Sequence, residues 1–176
     1  SAEKLFGPKF VRKNIVCFSS SGGEINIKSP YGKISSYPLA DITSFGAPTH
    51  LIHSAFLTKD KVADLGLKKY ISVNRKITNI VHNLISKSNL EGIISFSSGD
   101  AAKFDLDPPL LSSNPYAGLK KFEEKLFMSH SSFVAINILR IYSVIGLFVP
   151  DGDVFALSSF KKSVLEGSKI KIMSKR

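Results

Sequence analysis

The sequence predicts an α/β chain built on a doubly wound, mostly parallel sheet. Three observations carry that reading. Apolar β-rich runs and helical patterns follow one another in the order β, β, long helix, β, helix, β, helix, which is the order of that architecture. Gly92-Ile93-Ile94-Ser95-Phe96-Ser97-Ser98-Gly99 and Phe133 to Gly146 read as strands on either side of a helix, one strand–helix–strand unit of a parallel sheet. With 176 residues, 43% of them hydrophobic and 22% charged, the chain is long and apolar enough for one domain with a core.

Each element has a local reason. Lys9 to Lys13 reads as the tail of a helix, and Asn14-Ile15-Val16-Cys17-Phe18 as a short apolar strand. Ser19 to Gly23 is a loop by composition, Glu24 to Lys28 alternates as a strand does, and Tyr31 to Tyr37 is turn-like. Asp41-Ile42 precedes a loop, and Thr49 to Ala55 reads as another buried strand. From Leu65 to Ile85 apolar residues recur at helical spacing: Tyr70, Val73, Ile77, Ile80, Val81, Leu84 and Ile85. Gly92 to Phe96 is the next strand. Asn114 is a suitable N-cap and Pro115 a favoured first helical residue, with Phe122, Leu126 and Phe127 as that helix's apolar face. A loop through Pro150 and Gly152 leads to a last amphipathic helix, Val154 to Leu165, and Ile170-Lys171-Ile172 begins a strand.

Composition narrows the function classes. The formal net charge of +10 can attract phosphorylated small molecules, nucleic acid or acidic membrane surfaces. The lysines are spread, however, and their tightest groups are pairs: Lys68-Lys69, Lys120-Lys121 and Lys161-Lys162. Aromatic residues do not interleave with them, so a nucleic-acid partner is not expected. No apolar run reaches the roughly 18 residues that span a bilayer, and no secretory signal pattern opens the sequence. Cys17 is the single cysteine, which fits a reducing cytoplasm and a packing role. His50, His82 and His130 show no metal-ligand spacing, and His53 reads as structural on its buried strand, so no metal site is expected.

Tyr116 and Lys120 are the candidate chemistry. Four residues apart near a helix start, they share one face, and a nearby cation favours phenolate and lowers the phenol pKa. That makes Tyr116 a candidate acid/base group. The spacing alone also describes an exposed amphipathic turn; Ser98 adds context, since it ends its strand at the edge where open α/β sheets bind ligands.

Together these residues resemble the extended short-chain dehydrogenase/reductases, the NAD(P)-dependent nucleotide-sugar epimerases and dehydratases. Asp41-Ile42 matches the acidic pair beside the cofactor's adenine. His53-Ser54-Ala55 matches the strand end that passes its pyrophosphate and ribose. Asn74 matches the helix asparagine that supports the active site, Ser98 the active-site Ser/Thr, and Tyr116 with Lys120 the catalytic pair. Arg140-Ile141-Tyr142-Ser143-Val144-Ile145-Gly146 resembles the family's Arg-x-Phe/Tyr-Asn-x-x-Gly strand, with Tyr142 toward the cofactor. Gly7 looks like the last glycine of the dinucleotide loop.

The resemblance implies a Rossmann-like fold incomplete at both ends. Residues 1–150 would form the dinucleotide-binding domain, and 151–176 the start of the substrate-binding region. The first strand and the first two glycines of the loop are not found before Gly7, and Ser19 to Gly23 follows the second strand, so it is not that loop. The implied activity is an NAD- or NADP-dependent epimerase or reductase acting on a nucleotide sugar, as a cytoplasmic homodimer. Tyr116 would exchange the proton, Lys120 would tune it and hold the nicotinamide ribose, and Ser98 would orient the substrate. Ser19 at the end of the second strand leaves NADP open. Gly99 and Asp100 stand where the dehydratases carry an acid pair, which disfavours 4,6-dehydration, while Ser143 and Ala101-Ala102-Lys103 depart from the family pattern and weaken any particular sugar assignment. The alternative is a family member that no longer catalyses and serves as a binding protein.

Overall fold

In the computed structural model, which describes residues 7, 11, 13–26, 33–104, 113–144 and 156–170, the apolar runs pair into two three-stranded sheets. The first contains β1 (Phe18–Ser19), β2 (Gly23–Asn26) and β3 (Lys33–Pro38), in the order β1-β3-β2. β1 runs parallel to β3 with Phe18 opposite Tyr37, and β2 runs antiparallel to it with Glu24 opposite Ser35. The second contains β4 (His50–His53), β5 (Gly92–Ser98) and β6 (Ala135–Ile141), in that order. β4 and β5 are parallel, with His50 opposite Gly92 and His53 opposite Ser95.

β5 is the centre of its sheet and the most deeply buried strand, which is why its sequence is an apolar run rather than a strict alternation. A Cβ on Gly92 would come within 3.1 Å of the His50 ring, so a larger residue there would make that exposed ring shift by a few tenths of an ångström. The sheets are not joined by a ladder among the described residues. In a doubly wound sheet of order 3-2-1-4 the first strand lies between the second and the fourth. Among the described residues no strand pairs with both β1 and β4.

Four α-helices are described. α1 (Lys61–Leu65) and α2 (Leu67–Lys87) are separated by Gly66, whose φ of +75° suits glycine and redirects the chain. α2 buries Tyr70, Asn74, Thr78, Val81, Leu84 and Ile85, a stripe at the helical repeat. α3 (Pro115–Met128) starts as the sequence implies: the Asn114 side-chain oxygen accepts from Ala117 N–H at 3.1 Å, and Pro115 takes the first position. Val81, Leu84 and Ile85 of α2 and Phe127 of α3 meet Ile93 of β5, with Leu90, Val134, Leu39 and Ile42, in one core cluster; Phe18 and Leu51 pack against it from the two sheets. The chain divides into two compact units, Ser1–Arg140 and Ile141–Arg176. In the second, α4 (Ala156–Leu165) is the described helix.

Several elements differ from the sequence reading. Residues 33–38 are a strand rather than a turn, because β3 finds partners on both sides that Ser and Pro composition does not announce. The apolar segment 14–18 is mostly not strand: Asn14 is helical, Ile15 and Val16 are exposed, and pairing starts at Phe18. The long helix starts at Leu67 and not at Leu65, a separate short helix, Lys61–Leu65, precedes it, and Asp41 and Ile42 lie in a 3-10 helix, Leu39–Ser44. Ile170 is not in a strand, and 171–172, like Pro150 and Gly152, lie outside the described residues.

Candidate active site

The carboxyl end of β5 and the first two turns of α3 bring Ser98, Tyr116 and Lys120 together. Ser98 is the last residue of its strand, and its Oγ accepts from Asp100 N–H at 3.2 Å. Tyr116 is half-buried one residue into α3. Burial raises its phenol pKa, the charges of Asp100 and Glu123 add to that, and a hydrogen bond with Ser98 works in the opposite direction. The direction is upward, contrary to the lowering expected from Lys120.

Burial is the first cause of that direction, and Lys120 itself turns to other partners. Its side chain is only 3% exposed, and Nζ donates to Phe96 O at 2.8 Å and to Glu123 Oε1 at 2.9 Å. The third side of the ammonium faces the Phe56 ring, 3.9 Å from its centroid. Burial lowers the Lys120 pKa, opposed by the carboxylates of Glu123 and Glu124.

Two neighbouring acids complete the site's buried charge. Glu123 is 1% exposed; beyond Lys120, its Oε2 receives His53 Nε2 at 3.1 Å and the Thr78 hydroxyl at 2.9 Å. Burial alone would raise its pKa, but His53 and Lys120 hold it below the ordinary glutamate value. Glu124 accepts from the Ser97 hydroxyl at 2.6 Å and from Arg140 Nε and Nη2 at 2.9 and 2.7 Å, a forked pair that ties α3 to β6. Burial opposes ionisation here too, and Arg140 and Ser97 outweigh it.

Phe56 is itself held in place. The loop after β4 is clamped at Leu57, whose N–H donates to Asn74 Oδ1 at 2.8 Å and whose carbonyl accepts from the Tyr70 hydroxyl at 2.8 Å. Tyr70 is buried enough that its phenol is pushed up to about 12. Phe56 then stands edge-on to Tyr116, with centroids 5.7 Å apart, while its face covers Lys120.

The remaining expected residues are placed differently. His53 is buried and bound to Glu123, Ser54 is exposed, and Ala55 packs on the core. Asp41 is exposed whereas Ile42 is a core residue. Gly7 has a φ of +79° and accepts from Val11 N–H, as a residue opening a helical turn does. Tyr142 is 78% exposed. No group of three or more metal-ligating side chains occurs among the described residues. Glu123, Thr78 and Phe56 were not visible as site residues in the sequence. The i,i+3 spacing of Lys120 to Glu123 was the one available signal, and Thr78 and Phe56 had none, because their contacts are long-range.

No family model matches the chain, and no curated protein sequence matches it. Solved structures do. Bordetella bronchiseptica WbmG in complex with NAD aligns at TM-score 0.54 and 22% identity, covering 74% of this chain and 42% of that one. The UDP-glucuronic acid 4-epimerase of Bacillus cereus in complex with NAD gives 0.55 and 22%, covering 76% and 44%. The UDP-glucose 4-epimerase of Thermotoga maritima with UDP-glucose gives 0.61 and 15%, covering 95% and 60%. The chain thus spans less than half the length of the first two. At these identities the likeness establishes the fold, which is the Rossmann-like α/β fold that the resemblance implies.

Proposed function

We propose that the chain carries the proton-transfer half of an NAD- or NADP-dependent oxidoreductase site for a nucleotide sugar, as an epimerase or reductase. The observation that carries this reading is the convergence of Ser98, Tyr116 and Lys120 at the carboxyl end of β5 on this fold.

The donor set fits the ribose end of a nicotinamide cofactor: an ammonium, a phenol and a hydroxyl at one strand end can serve a polyhydroxylated ligand. Tyr116 and Lys120 would hold that ribose, Asp41 and Ile42 would stand toward the adenine, and Gly7, opening a helical turn, would stand toward phosphate. Tyr142 and the His53-Ser54-Ala55 strand end belong to the same reading. When bound, the nicotinamide supplies hydride transfer. The chain's own residues handle the proton. With its pKa raised, Tyr116 stands at neutral pH as a protonated phenol, the form that donates to a developing alkoxide. Ser98 hydrogen-bonds the same oxygen and fixes its position. Lys120, held beside Glu123, favours the phenolate left behind through its positive charge. The reading includes a homodimer in a cytoplasmic setting, the latter resting on the lone Cys17.

Titration of the chain with NADH and NADPH, followed by nicotinamide fluorescence, tests the proposal. Saturable binding of one of them is expected, and binding of neither overturns it. Tyr116→Phe is expected to retain that binding and lose about 10²- to 10⁴-fold in turnover of a UDP-sugar.

A further inference from the structure

We propose that Glu123 is the positioning residue of the Tyr116–Lys120 pair, its carboxylate fixing Lys120 in the charged form and in one orientation at the end of β5. This rests on the reading of Lys120 as the partner of Tyr116.

The geometry sets the role. A lysine with 3% of its surface exposed loses the water that stabilises its charge, and a neutral amine would neither favour phenolate nor donate three hydrogen bonds. Of its three partners, Phe96 O and the Phe56 ring are neutral. Glu123 is the carboxylate in direct contact, at 2.9 Å and 1% exposed, where screening by water is weakest. Glu124 also acts on Lys120, but its oxygens are engaged by Ser97, Arg140 and Lys121.

Glu123 is in turn held from three elements. His53 of β4 and Thr78 of α2 both donate to Oε2, leaving Oε1 for Lys120 of its own helix. A carboxylate gripped on one oxygen by two elements cannot swing, so it fixes the ammonium on the other. Tyr116 lies about two turns earlier on the same helix, and the Glu123 charge adds to the burial that raises its phenol pKa. Glu123 thereby holds Lys120 ready while Tyr116 remains protonated.

The test is a pH titration of the Lys120 side-chain nitrogen in the unliganded chain, read by lysine-selective ¹⁵N NMR, with and without Glu123→Gln. The substituted chain should lose its Lys120 proton at a pH lower by about one unit or more, because the contacting negative charge is gone. A Glu123→Gln chain with the parent's circular dichroism spectrum and an unmoved Lys120 midpoint overturns the proposal. Should Glu123→Gln not fold, the unsubstituted chain decides. Its Lys120 nitrogen shift must step at the pH where the Glu123 carboxyl carbon titrates, and a shift that ignores that pH overturns the proposal equally. Neither measurement needs a cofactor. Failure to bind NADH or NADPH would therefore refute the proposed function while leaving the Glu123–Lys120 coupling measurable on its own.

Discussion

Glu123 and Glu124 are adjacent in sequence and do opposite jobs in space. One turns into the helix–sheet interior to meet Lys120, His53 and Thr78, and the other reaches across to Arg140 on β6. Each is an ionised group in a place that disfavours ions, tolerated because its oxygens are matched by donors. Both carboxyls are held below their ordinary value of 4.5 in the folded chain. The consequence for stability has a definite sign. Between pH 4.5 and the folded values, the unfolded chain takes up protons that the folded chain refuses, so stability rises with pH across that window. The contribution is fully present above pH 4.5 and is lost as pH falls through the folded values. Urea midpoints measured from pH 7 down to pH 3 should stay nearly level to about 4.5 and then drop, and a Glu123→Gln, Glu124→Gln chain should show a weaker drop.

At the scale of elements, α3 carries the site because both its ends are defined. Asn114 caps the first turn one residue before the helix begins, two before Tyr116, so the cap sets the phase at which Tyr116 and Lys120 face β5. Phe127, fully buried near the other end, anchors the helix in the core against Val81 and Ile85. Asn114→Ala should cost about 1 kcal/mol in urea unfolding, while Asn114→Asp, which keeps an accepting oxygen, should cost far less. α2 contributes differently. Through Tyr70 and Asn74 it pins Leu57, and so the loop that lays Phe56 over Lys120. The helix therefore shapes the site through the loop that it holds.

For the whole molecule, charge is the property that reaches beyond contacts. With 24 Lys and Arg against 14 Asp and Glu, an approaching dinucleotide phosphate meets a net positive field. Screening shortens the reach of that field from about 30 Å at 0.01 M salt to about 3 Å at 1 M. Stopped-flow association of NADH or NADPH should slow roughly tenfold or more over that range with little change in the dissociation rate, the pattern of electrostatic steering. An association rate independent of salt would show that the lysines are too dispersed to direct a ligand. The sheets add a second whole-chain feature. Phe18 of β1 and Leu51 of β4 both pack against one core, each strand pairs on one side among the described residues, and Ile52 on β4 is 68% exposed.

The sequence by itself determined the order of the main strands and helices, the N-cap of α3, and the alignment of Ser98, Tyr116 and Lys120 along one strand end and one helix. Those are local matters: hydrophobic period, capping chemistry and i,i+4 spacing act within a few residues. It did not reveal β3, where Ile34 and Tyr37 stand among Ser and Pro and two neighbouring strands supply the pairing, nor the separate short helix before Gly66. Above all, it gave the wrong direction for Tyr116. Four-residue spacing places a lysine near a tyrosine but does not say which way its ammonium turns. Only the tertiary structure decided that, because burial of the phenol, with the charges of Asp100 and Glu123, raises its pKa, while the Lys120 ammonium turns to Phe96 O, Glu123 and the Phe56 ring.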